Sequence, residues 1–311
     1  MDERGAAWTG ASGAQGMGVT DEVVDRYRRI YGLGDSIGRD EVEAHWRLET
    51  ALAEDLLRSS PQDRWETFSR CYTKLYADLP WLNRADDPEE AQRQWASWMP
   101  LVPPQSKVFE VGSGGGALLG QLAAQGHDCV GTEITQERGS KHLPEAANIT
   151  WRLTDGINLT KFEPSESYDV VISSQVIEHF HPDDLVTHFE NARAVLKPGG
   201  RYIFDTPHRA TGPHDLSVVF GLDKAVCMHL KEYSYPEIAR ALNRAGFRKL
   251  KAITYRAIFG KPRESRWGFW TYCMSDRVLA LARLAPNIER RVRTALRGLI
   301  VPTKIWVSAE R

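Results

Sequence analysis

The sequence predicts an α/β fold: a doubly wound, mostly parallel seven-stranded sheet, with an N-terminal helical cap and a C-terminal helical insertion. Three observations carry this expectation. The apolar run Val108-Phe109-Glu110-Val111 ends in a glycine cluster, and Ala117-Leu118-Leu119 then opens an apolar-periodic stretch, which reads as strand, tight turn and helix. Short apolar segments alternate with helical patterns from there onward, as in a parallel sheet covered on both faces. Residues 20–100 carry helical periodicity alone.

Taken in order, residues 1–19 are rich in Gly, Ala and Ser without an apolar core, and are expected to be a disordered tail rather than a signal peptide. Thr20 or Asp21 caps a first helix that stops near Gly32. Asp40-Glu41 opens a second, with Val42, Trp46, Leu52 and Leu56 at roughly helical spacing. Pro61 starts a third, bearing Trp65, Phe68, Tyr72, Leu75 and Tyr76, and Pro88 a fourth, bearing Trp95 and Trp98. These aromatics form either the core between the helices or a cap over a ligand pocket. Pro100, Pro103 and Pro104 mark the passage into the main domain, 101–311.

Strands are expected at 107–111, 128–133, 149–153, 168–173, 201–205, 248–258 and 304–309, and helices at 116–125, 183–195 and 235–245. The stretch from Pro207 to Leu230 is a long loop, and loops beyond about 15 residues are usually functional or mobile. Residues 263–300 are too long for a turn and are expected to form a helical insertion before the last strand. Six arginines between Arg277 and Arg297 alternate there with apolar residues. A basic amphipathic helix of this kind can lie on an anionic membrane; a lid or homodimer face is the favoured reading.

Glycine lets a backbone adopt left-handed turns and brings the main chain close to a ligand. The N–H groups of the following helix start then meet polar or anionic atoms. Glu133, about 20 residues after the glycines at the end of the next strand, stands where an acid can accept both ribose hydroxyls. The glycines run G-x-G-x-G rather than G-x-G-x-x-G, which argues against a nicotinamide enzyme.

Glu110-Val-Gly-Ser-Gly-Gly-Gly116 resembles the first motif of the class I S-adenosylmethionine-dependent methyltransferases. Further stretches agree in order: Glu133; Thr154-Asp155-Gly156; Tyr168 to Phe180; and Val195-Leu-Lys-Pro-Gly-Gly200. The resemblance covers about residues 100 to 255. It implies a Rossmann-like methyltransferase fold with an antiparallel last strand, S-adenosyl-L-methionine as cofactor, and a set of binding residues. Gly112, Gly114 and Gly116 would approach the methionine part, Glu110 would lie near its ammonium, Glu133 would hold the ribose, Asp155 and Gly156 the adenine, and Ser174 the cofactor at the end of the fourth strand. His229-Leu-Lys-Glu-Tyr-Ser234 and Ala245-Gly-Phe247 resemble ubiquinone-type and sugar-type methyltransferases.

The resemblance implies methyl transfer to a small molecule, with a sugar, phenolic or secondary-metabolite oxygen favoured. N-methylation, a lipid-linked acceptor, a small-RNA 2′-hydroxyl or a non-catalytic cofactor-binding scaffold are the alternatives. A hydroxyl acceptor needs a base with pKa near neutrality. The candidates are His208, which leaves a strand's carboxyl end, then His214 and His229. Small-RNA 2′-hydroxyl methyltransferases bind a metal through Glu-x-x-Glu-His and a later His. Here Gln175 replaces the first Glu before Glu178-His179, so no metal is expected. DNA is disfavoured by the net charge of −1 and by the lack of Asn/Asp-Pro-Pro-Tyr after the fourth strand. Cys71, Cys129, Cys227 and Cys273 lack C-x-x-C spacing and suit a reducing cytoplasm.

Overall fold

The computed structural model describes residues 18–83, 87–138, 146–255, 260–282 and 302–311. The helices are α1 (Asp21–Tyr31), α2 (Arg39–Arg58), α3 (Arg64–Asp78), α4 (Pro88–Trp95), α5 (Ala117–Ala124), α6 (Leu185–Val195), α7 (Tyr235–Arg244) and α8 (Arg266–Ala282). The strands are β1 (Lys107–Val111), β2 (Asp128–Glu133), β3 (Ile149–Leu153), β4 (Tyr168–Ser174), β5 (Leu196–Pro207), β6 (Arg248–Thr254), β7 (Arg263–Ser265) and β8 (Lys304–Glu310).

They form one eight-stranded sheet in the order β3-β2-β1-β4-β5-β8-β6-β7. The first five strands run parallel, and β8 pairs antiparallel with both β5 and β6. The expected doubly wound architecture and antiparallel last strand are present. The eighth strand, β7, is a short edge segment that pairs antiparallel with β6 and escaped a reading tuned to longer apolar runs. Central strands β1 and β4 are buried over most of their length because helices cover both faces. On one face lie α6, α7 and α8, around Phe189, Tyr202, Phe204, Tyr235 and Phe269; on the other, α5 packs with Trp98 and Trp306.

The cap folds as expected from its capping residues. Thr20 accepts the Val23 amide, and Gly32 ends α1 in the left-handed region at φ 60°. The third helix starts at Arg64, not Pro61, because residues 61–63 form a turn. Val19, assigned to the tail by sequence, packs against the cap; residues 1–17 lie outside the described residues. Most of the expected basic stretch after α8 (283–301) lies outside them too.

The long loop after β5 is built into the cap. Leu216, Val219 and Cys227 share a core with Val24, Tyr27, Val42 and Trp46, and Phe220 packs on Trp46 with ring centroids 4.2 Å apart. Met228 joins Leu52, Phe68 and Leu75. The loop therefore fastens the cap to the carboxyl ends of the strands. Along α8, Trp267, Trp270, Met274, Val278 and Leu281 form an exposed apolar strip at helical spacing.

Candidate active site

The backbone leaves β1 through Gly112, Gly114 and Gly116, at φ 67°, 56° and 76°. An L side chain rarely adopts such angles, and a Cβ on Gly112 would also stand 2.6 Å from Val176. The turn is pinned to the neighbouring strand: the Ser113 N–H donates to the Thr132 carbonyl at 2.9 Å, and the Thr132 N–H donates to Ser113 Oγ at 2.9 Å. Its amides and the start of α5 open into a pocket of about 410 Å³ beyond the strand ends, roofed by α2, α3 and α4. In open α/β sheets this crevice is where ligands bind.

Most of the expected cofactor residues line this pocket: Glu110, Gly112, Gly114, Glu133, Asp155, Gly156 and Ser174. Gly116 does not; it caps α5 behind the turn. Glu110 is 3% exposed, and its Oε2 has no hydrogen-bond partner. Burial, and then the Glu133 charge, push the Glu110 pKa well above the usual carboxylate range. Burial also raises Glu133, although the Gly114 amide (2.7 Å), Arg138 and the Ile134 amide (3.3 Å) oppose it. Each Glu133 oxygen takes one amide and keeps a second lone pair for a ligand hydroxyl. A buried acid with an orphaned oxygen beside a part-buried one suits a ligand that brings a cation and N–H donors. S-adenosylmethionine, with its ammonium and sulfonium, fits that description.

Residues 109–204 match a family model described as a methyltransferase domain. The ubiquinone biosynthesis O-methyltransferase of Aliivibrio fischeri (strain MJ11) is 33% identical over 106 residues, 33% of this chain and 44% of that protein. That of Paraburkholderia phymatum is 25% identical over 185 residues, 55% of this chain and 78% of that protein. The chain spans about half the length of most of the curated relatives it matches. A SAM-dependent methyltransferase from Archaeoglobus fulgidus shares the fold at a TM-score of 0.50 and 17% identity, over 77% of this chain and 99% of that one. Residues 109–204 of this chain are therefore a methyltransferase domain.

Within the methyltransferase domain, several expected residues are engaged otherwise than the sequence suggested. Asp155 Oδ1 caps the amides of Ile157 (2.9 Å) and Asn158 (2.8 Å), and its Oδ2 holds the Asn158 side chain. It shapes the loop at the pocket wall, with Gly156 at φ 68° beneath the Phe180 ring. Ser174 Oγ donates to Asp205 at 2.8 Å, and so does the Gln175 side chain at 3.1 Å.

None of the three histidines expected as base lines this pocket. His208 is 1% exposed, with Nδ1 2.8 Å from the Pro302 carbonyl and Nε2 2.9 Å from Asp276 Oδ1. Both ring nitrogens are thus engaged within the fold, and neither faces the pocket. Asp276 also receives the Tyr235 amide at 2.8 Å. The pair therefore ties β5 to α7 and α8 as a structural clamp. His214 lines a separate, smaller pocket and bonds Thr211 and the His208 carbonyl. His229 Nδ1 donates to Glu232 at 3.0 Å. Burial works against the His229 cation, but Glu232, Glu178 and Asp215 outweigh it and raise its pKa.

The structure does bring His229 to Glu178 and His179, with ligand atoms all within 4.8 Å of one another. Burial raises Glu178 to about 7, and burial with the His229 charge lowers His179 to about 3. Glu178 Oε1 is buried without a partner, while His179 Nδ1 meets the Met228 carbonyl at 2.9 Å. Both imidazoles thus keep Nε2 free of these bonds, and the trio could hold a divalent cation. The expectation of no metal rested on Gln175, which the fold turns to Asp205 instead.

Sequence reasoning missed Arg138 and Glu49, which also line the pocket. Arg138 stacks on Tyr76 at 5.2 Å, and its guanidinium lies 3.5 Å from where a Gly114 Cβ would stand. Glu49 sits on an amphipathic helix, where one acid gives no signal until its buried neighbours are known.

Two outcomes follow. His208→Ala removes one partner of a buried hydrogen-bonded pair and leaves Asp276 without it, so urea denaturation should show a loss of about 1–3 kcal/mol, with affinity for S-adenosylhomocysteine unchanged. Glu110 has a raised folded-state pKa, so its contribution to stability is lost as pH rises above the unfolded value of 4.5 towards the folded one. Glu110→Gln should therefore raise the ligand-free Tm at pH 8 by about 2–5 °C, while weakening the cationic ligand.

Proposed function

We propose that this protein binds S-adenosylmethionine in the pocket at the glycine turn and transfers its methyl group to a small molecule, at oxygen. The observation that carries the reading is the buried Glu110 oxygen, unpartnered beside Glu133 at the mouth of a left-handed glycine turn. Bound there, the cofactor supplies a methyl group already activated on sulfonium. The chain's own contribution is to hold it: the turn admits the amino-acid part, Glu110 accepts from its ammonium, and Glu133 accepts from the ribose hydroxyls. Phe180 above Gly156, together with Asp155, bounds the adenine end. Ser174 and Gln175, fixed by Asp205, set the floor at the end of β4. The α2–α4 roof excludes water and presents Phe68, Tyr72 and Tyr76 to the acceptor.

The likeness of residues in this domain to ubiquinone biosynthesis O-methyltransferases supports oxygen as the methylated atom, and the aromatic wall of Phe68, Tyr72 and Tyr76 suits a phenolic ring as the acceptor. The four cysteines, all free and buried, support a reducing cytoplasm. Among the described residues, no helix is long and apolar enough to cross a membrane. The apolar strip of α8, on a chain with net charge −1, supports a protein contact over a lipid one.

Calorimetric titration should show S-adenosylmethionine and S-adenosylhomocysteine both binding wild type. Glu133→Ala should weaken both by roughly 100-fold, two lost charge-assisted bonds, with an unchanged circular dichroism spectrum; undiminished affinity would remove the ribose assignment. In flotation with anionic vesicles the protein should stay at the bottom of the gradient, and co-migration with lipid would overturn the protein-contact reading.

A further inference from the structure

A chain of buried hydrogen bonds runs through the cap and ends at the pocket. Trp81 Nε1 lies 2.9 Å from the Tyr27 hydroxyl, which lies 2.8 Å from His45 Nδ1; His45 Nε2 lies 2.8 Å from Glu49 Oε1. The directions can be assigned. An indole N–H only donates, so the Tyr27 oxygen accepts from Trp81. Burial raises Tyr27 to about 12, so it keeps its own proton. Tyr27 and His45 are both fully buried, and that proton's neighbour is His45 Nδ1. His45 Nδ1 is then an acceptor, Nε2 carries the hydrogen, and Glu49 accepts it. Every polar group behind Glu49 is satisfied by orienting this carboxylate.

Such a network is an expensive way to fill the core of a small helical cap. Buried polar chains cost desolvation that apolar packing does not. Its free end explains it. Glu49 lines the pocket, and so does Tyr72, whose buried hydroxyl has no partner. Burial, and then the nearby Tyr76 and Glu49, hold Tyr72 far above the ordinary phenol range, so it remains a donor. The wall thus offers one acceptor and one donor beside the rings of Phe68 and Tyr76. The acids on the strand side of the pocket belong to the cofactor half, and the three histidines proposed from sequence face elsewhere.

We propose that Glu49 is the acceptor-side base of this enzyme: it binds the hydroxyl of a phenolic acceptor at the methyl-transfer end of the pocket and takes its proton. Tyr72 donates to the acceptor's neighbouring oxygen, and His45 and Tyr27 are positioning residues for Glu49. The step balances. A bond forms between the acceptor oxygen and the methyl carbon as the carbon–sulfur bond breaks; its electron pair stays on sulfur, leaving the neutral thioether, and the hydroxyl proton passes to the Glu49 carboxylate. This inference rests on the methyl-transfer reading above.

The test needs no identified acceptor. Sinefungin places a protonated amine where the transferable methyl stands, whereas S-adenosylhomocysteine has nothing there. Titration of both into wild type, Glu49→Gln and Glu49→Asp measures the charge facing that point. Glu49→Gln should lose roughly ten-fold in sinefungin affinity, one charge pair across a few ångströms, and less than two-fold for S-adenosylhomocysteine. Glu49→Asp should keep part of the preference, and Tyr27→Phe, away from the pocket wall, should lower it two- to three-fold. An unchanged ratio in Glu49→Gln overturns the assignment of Glu49, and an unchanged ratio in Tyr27→Phe overturns that of the positioning pair. Should Glu49→Gln lose S-adenosylhomocysteine as well, Glu49→Asp decides by the same ratio. If wild type binds neither ligand, the methyl-transfer reading itself fails and this inference with it.

Discussion

Between β1 and α5 the backbone passes through Gly112, Gly114 and Gly116 in the left-handed region, with Ser113 between them bonded to Thr132 of β2. The rest of the pocket is arranged around that turn. It directs free amides outward at the carboxyl edge of the sheet, where side chains from β2, β4 and the following loops converge. Any Cβ on Gly112 would collide with Val176, so the turn and the segment after β4 are fitted to one another at near-contact distance. A turn of such tightness leaves room for a ligand's main-chain-like part and for little else.

The electrostatics of the site follow from the same packing. Glu110 points from a buried strand into the space the turn creates, and Glu133 reaches it from the next strand. Two carboxylates in a space shielded from water are unfavourable together unless a cation joins them. Arg138 offsets Glu133 but leaves a Glu110 oxygen without a donor. The pocket is therefore tuned for a positively charged ligand, and ligand binding relieves a strain that the empty fold must carry.

On the other side, the cap and the loop after β5 act as one layer. Leu216, Val219, Cys227 and Met228 are shared with the cap cores, which fixes α2 and α3 over the strand ends. Glu49 and Tyr72 reach the pocket because of that docking. His208, by contrast, is drawn under α8 by Asp276, and there it ties the end of β5 to α7 and α8.

The fold and the strand-end wall of the pocket were legible in the sequence because they depend on local signals. A glycine cluster after an apolar run, an acid at the next strand end and alternating apolar segments each act within a few residues. The cap-side wall was not legible. His208 ranked ahead of His214 and His229 by its place at a strand's carboxyl end, but their partners are what separate them: Asp276 and a carbonyl for the first, a threonine and a carbonyl for the second, Glu232 for the third. Glu49 looked like one more acid on an amphipathic helix until Tyr27, His45 and Trp81, up to 54 residues apart in sequence, closed behind it. Backbone conformation is set by near neighbours, and so the sequence by itself determined the turn, the strands and the acids they carry. Burial and hydrogen-bond partners are set by residues distant in the chain, and so only the tertiary structure decided which ionisable groups line the pocket.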